Sequence, residues 1–247
     1  MPRRIVLSIV VSLVALCGSA FARQADHLDL WCDARLSLDA SGKVTALDFI
    51  GKNGNADPIA QKLAPVIRAW SFVPGSIDGV PMPTETTLSL HLQTQKTGDG
   101  TYGLRILDAQ TGAAMINMRP PEYPDYAMRN DIEARVIAVI SVNSDGVPTR
   151  IDITGIGTTN DGDRTSQKIF ATAVTVQAKT WRFRPEIVGG HAVTSQMRIP
   201  VDFCMNAIPC IRVKDERVAE DAPMPLARPL ALDSQVKLVT QVAGTTL

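Results

Sequence analysis

The 247-residue chain balances 25 basic residues against 25 acidic ones, so no surplus of positive charge points to a nucleic-acid partner. Aromatic residues make up only 5% of the chain, which makes its three tryptophans informative landmarks. Arg3 and Arg4 precede an apolar run from Ile5 to Leu16 and then Ser19-Ala20-Phe21-Ala22, the order of a secretory signal peptide. Residues 1–22 are therefore expected to be a leader removed on export to the periplasm. The competing reading is a retained membrane anchor, although only about 18 residues separate Arg4 from Arg23. A lipoprotein site at Cys17 is disfavoured by the bulk of Leu16. Without the leader the basic count falls to 23 and the net charge to −2, and 225 residues remain, enough for two ordinary domains.

The first predicted element is a strand, Ala34 to Leu38, entering a tight turn at Asp39-Ala40-Ser41-Gly42 and followed by a second strand over 43–50. Ile59, Leu63 and Ile67 then recur at helical spacing and define one apolar face. Pro65 inside that helix is expected to kink it or delay its start. Trp70-Ser71-Phe72-Val73-Pro74 follows, then Asp78-Gly79 and an alternating strand from Thr84 to Leu92.

The same series returns further along. Ala138 to Val142 leads into Asn143-Ser144-Asp145-Gly146 and a strand from Pro148 to Thr154. Phe170, Val174 and Ala178 form a helical face, and Trp181-Arg182-Phe183-Arg184-Pro185 precedes Gly189-Gly190 and a strand from Thr194 to Phe203. Trp70, Phe72, Pro74 and Gly79 thus match Trp181, Phe183, Pro185 and Gly190 at identical offsets, which marks an internal repeat. Trp and Phe two apart on a strand share a face, so each signature is expected to clamp a core rather than to hold a ligand.

The domains expected are 23–95 and 119–210, joined by a linker over 96–118 that carries its own hairpin, Tyr102–Leu107 with Ala113–Met118. The tail, 211–247, is expected to be extended or disordered because of Ala222-Pro223-Met224-Pro225 and Arg228-Pro229, with strand-like alternation only from Gln235 to Val242. The fold class is α+β: two units, each a small antiparallel sheet packed on one helix. In an oxidising compartment Cys204 and Cys210 bracket a short loop and are the favoured disulfide, with Cys32 free; Cys32 paired to either of them is the alternative.

No catalytic constellation emerges. His27, His91 and His191 are widely separated, and hydrolase and phosphate-loop motifs are missing. Asn160-Asp161-Gly162-Asp163 lacks the glutamate of a calcium loop and is better read as the cap of the next helix. No catalytic residue, metal or cofactor is expected.

Pro120-Pro121-Glu122-Tyr123-Pro124 with Ala127, the Val136–Val142 strand, Asp145-Gly146, the second signature, Gly190 and Ile199-Pro200-Val201-Asp202-Phe203 together resemble the TonB C-terminal domain family. The resemblance covers residues 119 to 203, and the first unit is similar to a degenerate copy. For the family this implies a periplasmic module that accepts an extended receptor peptide at a sheet edge by β-augmentation. Carried over, it places partner contacts at Pro121, Tyr123, Pro124 and Tyr126 and on the last strand at Gln196, Arg198 and Val201. The expected function is a non-enzymatic periplasmic interaction module for a strand of an envelope or outer-membrane transport protein. Nucleic acid and small-molecule substrates are not expected, and a homo-oligomer is left open. The alternatives are an envelope scaffold, or an energy transducer should the leader be a retained anchor.

Overall fold

The structure, a computed structural model, describes residues 28–96, 102–160, 163–205 and 228–247. The leader and Cys210 lie outside the described residues. In chain order the elements are β1 (Asp29–Leu38), β2 (Val44–Ile50), α1 (Pro58–Arg68), β3 (Phe72–Val73), β4 (Ser76–Ile77), β5 (Val80–Pro81), β6 (Thr84–Lys96), β7 (Tyr102–Gly112) and β8 (Ala114–Asn117). They continue with α2 (Asp125–Arg129), β9 (Ala134–Val142), β10 (Pro148–Thr158), α3 (Arg164–Ala178), β11 (Arg182–Arg184), β12 (Ile187–Val188), β13 (His191–Ala192), β14 (Ser195–Phe203), β15 (Leu230–Ala231) and β16 (Lys237–Leu238).

The fold is α+β. β1 pairs antiparallel with β2 and β6, β9 pairs antiparallel with β10 and β14, and each sheet lays its apolar face on a helix. The two cores are separate. Leu36, Leu47, Leu63, Ile67, Trp70, Phe72 and Leu90 fill the first, and Val136, Ile140, Phe170, Val174, Trp181, Phe183 and Ile199 the second. Both signature tryptophans are buried, and the indole N–H of Trp181 donates to the Arg119 carbonyl at 2.9 Å.

The two hairpins are built alike by local chemistry. Asp39 Oδ1 accepts from the N–H groups of Ser41 and Lys43 at 2.8 and 3.0 Å, and Asn143 Oδ1 from those of Asp145 and Val147 at 3.1 and 2.9 Å. The turn glycines Gly42 and Gly146 then approach the backbone of Phe72 and Phe183 so closely that neither site has room for a Cβ. After each signature the Gly75 carbonyl accepts from Met82 and the Glu186 carbonyl from Val193, an identical seven-residue span.

α1 starts at Pro58 with Asp57 as its cap, where the missing proline N–H is not needed. It runs through Pro65, whose ring is exposed, so the Gln61 carbonyl left without a helical donor faces solvent. No delayed start occurs. α3 is capped by Asp163, whose side chain accepts from Thr165 N–H at 2.9 Å.

Two expectations are corrected. The Tyr102–Leu107 strand does not pair with Ala113–Met118: the whole of β7 folds back on β6, and β8 crosses to pair with β11 of the second unit. The long free edge of β6 is the nearer partner, and it absorbs most of the segment read as a linker. The described part of the tail, 228–247, is not loose chain either. β15 pairs with β14, β16 pairs with β3, and Val236 and Val242 are buried in the first core. The proline-rich composition misled because the short strands take their partners from far upstream.

A strand exchange ties the units further. β12 of the second unit pairs with the start of β6 in the first, and the Val188 side chain packs on Gly75.

Candidate functional site: the outer edge of the last long strand

β14 is the last long strand and pairs with β9 through nine consecutive residues. Gln196 turns its backbone away from β9: its N–H donates to Asp233 Oδ1 at 2.7 Å and its carbonyl accepts from Leu232 N–H at 2.8 Å. Alternate residues repeat that direction, so Arg198, Pro200 and Asp202 also present their backbone on the outer edge. Pro200 has no N–H to offer, and an added ladder loses its donor there. The usable stretch is therefore Gln196 to Arg198, and residues 230–233 occupy it, with Ala231 opposite Met197 and Leu230 opposite Arg198.

The far end of β14 is fastened to β9. Arg135 Nε lies 2.8 Å from Asp202 Oδ1 and Arg135 Nη2 3.1 Å from Oδ2, and both side chains are almost wholly buried. The tail is held at two points beyond the edge. Arg228 sits 4.7 Å from the Trp31 ring centroid and 3.4 Å from Asp33, while Trp31 stacks on His91 at 4.2 Å. At the other point the Glu186 carboxylate, 1% exposed, accepts from Thr86 Oγ1 at 2.6 Å, Ser234 Oγ at 3.1 Å and Gln235 N–H at 2.7 Å. Burial pushes its carboxyl above the usual range although these bonds favour the charged form.

Among the residues expected to meet a partner, Gln196 and Arg198 lie on this edge, Gln196 exposed and Arg198 buried. The Val201 side chain faces the second core. Tyr123 packs edge-on against Phe170 and Phe203 at 5.9 and 5.7 Å, and its hydroxyl donates to the Ile132 carbonyl at 2.8 Å. Pro121 and Pro124 are half-buried, and Tyr126 is exposed on α2. Glu186, Gly112 and Asp233 were missed by sequence reasoning. The signal available for Glu186 was the repeat itself, because the matching position of the first signature is Gly75.

Cys32 is a free thiol, which removes the alternative pairings through it. Burial, with Asp33 and Asp57 nearby, pushes it up to about 11 and so keeps it protonated at neutral pH. His191 is exposed. Among the described residues no three His, Cys, Asp or Glu side chains gather as a metal set, and no helix is long and apolar enough to cross a membrane.

The second unit is thus an α+β domain whose last long strand carries a short added strand of the same chain on its outer edge. Residues 119–205 match the Gram-negative bacterial TonB protein C-terminal family, and this segment is a domain of that family. Protein TonB of Xanthomonas campestris pv. campestris (strain B100) is 29% identical over 90 residues, which are 36% of this chain and 37% of the relative. The same figures hold for Protein TonB of Xanthomonas campestris pv. campestris (strain ATCC 33913). The match thus spans little more than a third of the relatives' length. The solution NMR structure of the Pseudomonas aeruginosa TonB CTD is 26% identical with a TM-score of 0.31, covering 38% of this chain and 88% of that one.

Proposed function

We propose that this protein is a non-enzymatic periplasmic interaction module that captures an extended segment of an envelope or outer-membrane transport protein by β-augmentation. The observation that carries the reading is the outer edge of β14, where the backbone of Gln196 already bonds an added strand. The family match of residues 119–205 supports it. In this reading Gln196 and Arg198 supply the ladder. The matching turn, signature and hairpin geometry of the two halves supports their origin as two copies of one unit.

The extensive stitching by the tail favours one rival, an envelope scaffold in which the edge never opens. Calorimetric titration of the full chain with N-terminal peptides of outer-membrane receptors separates the two. Saturable binding at micromolar concentration is expected, and no heat at high-micromolar peptide would sink strand capture and leave the scaffold.

A further inference from the structure

The strand seated on β14 lies in a slot with two walls. One wall is the Gln196–Arg198 edge, and the other is the end of β7 in the first unit. Gly112, at φ +146°, stands so close that a Cβ built on it would lie 2.3 Å from Ala231 Cβ and 3.4 Å from Ser234 Cβ. Ala231 also packs on the second core, so position 231 is closed on both sides and takes nothing much larger than a methyl group. Leu232 is 40% exposed, so the next position is open to any side chain. Position 233 is demanding again. In an ordinary ladder the Gln196 N–H would find a backbone carbonyl, and here it finds Asp233 Oδ1, a side-chain acceptor.

The ladder formed by 230–233 is short, whereas Val236 and Val242 are anchored in the first core. Residues 230–235 can therefore lift locally without emptying that core, once Ser234 and Gln235 leave Glu186. Resting on the strand-capture reading above, we propose that this slot selects a partner strand with a small residue two positions before an aspartate or asparagine. The chain's own Ala231-Leu232-Asp233 presents that pattern, and the partner enters by exchange with it.

The probe is the tail's own sequence as a free peptide, Arg-Pro-Leu-Ala-Leu-Asp-Ser-Gln-Val, with two further versions carrying Ala231→Trp or Asp233→Ala. Each is titrated against the full wild-type chain and the full chain with Gln235→Pro, which removes the N–H donated to Glu186. Should Gln235→Pro fail to give a native circular-dichroism melt, Ser234→Ala takes its place. The unaltered peptide is expected to bind the loosened chain about tenfold more tightly than the wild type, because a larger fraction of edges is open. Each altered peptide is expected to bind the loosened chain about tenfold more weakly than the unaltered one. Equal binding of the three peptides overturns the selectivity and leaves strand capture standing. No binding of the tail peptide to either chain, while receptor peptides bind, overturns exchange at this slot alone. No binding of any peptide, receptor peptides included, overturns strand capture and the slot together.

Discussion

At Gly42 and Gly146 the chain tolerates no carbon atom. A Cβ on Gly146 would stand 2.0 Å from the Phe183 carbonyl oxygen, and one on Gly42 would stand 1.8 Å from that of Phe72. Backbone lies on both sides, and Phe183 N–H donates to the Gly146 carbonyl at 3.0 Å, so neither partner can step back. Gly146→Ala is expected to cost about 3 kcal/mol or more, from the clash added to left-handed strain. Gly190, at φ +84° with nothing within 4 Å of a new Cβ, carries the strain alone, and Gly190→Ala should cost about 1 kcal/mol. Urea unfolding of the two variants checks this, and equal losses would remove the close approach as the cause. That a glycine belonged in each turn was legible in the sequence. That it touches the signature phenylalanine was not, because a backbone-to-backbone contact leaves no side-chain pattern to read.

Among the elements, α3 depends on its cap. Asp163 accepts from Thr165 N–H at 2.9 Å and from the Ser166 hydroxyl, and these bonds hold its carboxyl below the usual range. Asp163→Ala is expected to lower stability by about 1 kcal/mol, read as an earlier calorimetric unfolding transition, while an unchanged transition would show that Thr165 and Ser166 recap the helix. Helices and hairpins were readable because their causes are local: an apolar face at Phe170, Val174 and Ala178, an Asx turn at Asn143. The segments between and after the units were not. The alternation of Tyr102–Gly112 fits any unpaired edge, and only the length of β6 decides which edge it finds. β15 and β16 are two residues each, too short to print a period.

Over the whole molecule, Glu186 is the point where both units and the tail meet. Its donors come from β6 and the tail, and Asp233 is the charged neighbour that adds to burial in raising its carboxyl. A carboxyl raised in the folded state stabilises the fold fully below its unfolded value, and that contribution is lost as pH rises through the folded one. Protection from hydrogen exchange at Gln235 and Val236, corrected for the intrinsic pH dependence of amide exchange, should therefore rise as the buffer moves from neutral to mildly acidic, and Glu186→Gln should flatten that trend. A wild-type trend unchanged in the variant would assign the effect to other groups. That β14 is a long strand was legible in the sequence, but its pairing with β15 was not, since nothing in Leu230 to Asp233 names a partner some 35 residues upstream.

The hydrogen bond from Ser71 N–H to Thr240 Oγ1 spans 169 residues of chain, and it fixes an order of events. The first unit is synthesised early, yet its core lacks Val236 and Val242 until residues 228–247 follow. Closing so distant a contact is slow, and a half-filled core waits with apolar surface uncovered. Until residues 228–247 are made, the early half of this protein keeps that apolar surface open to association with other chains.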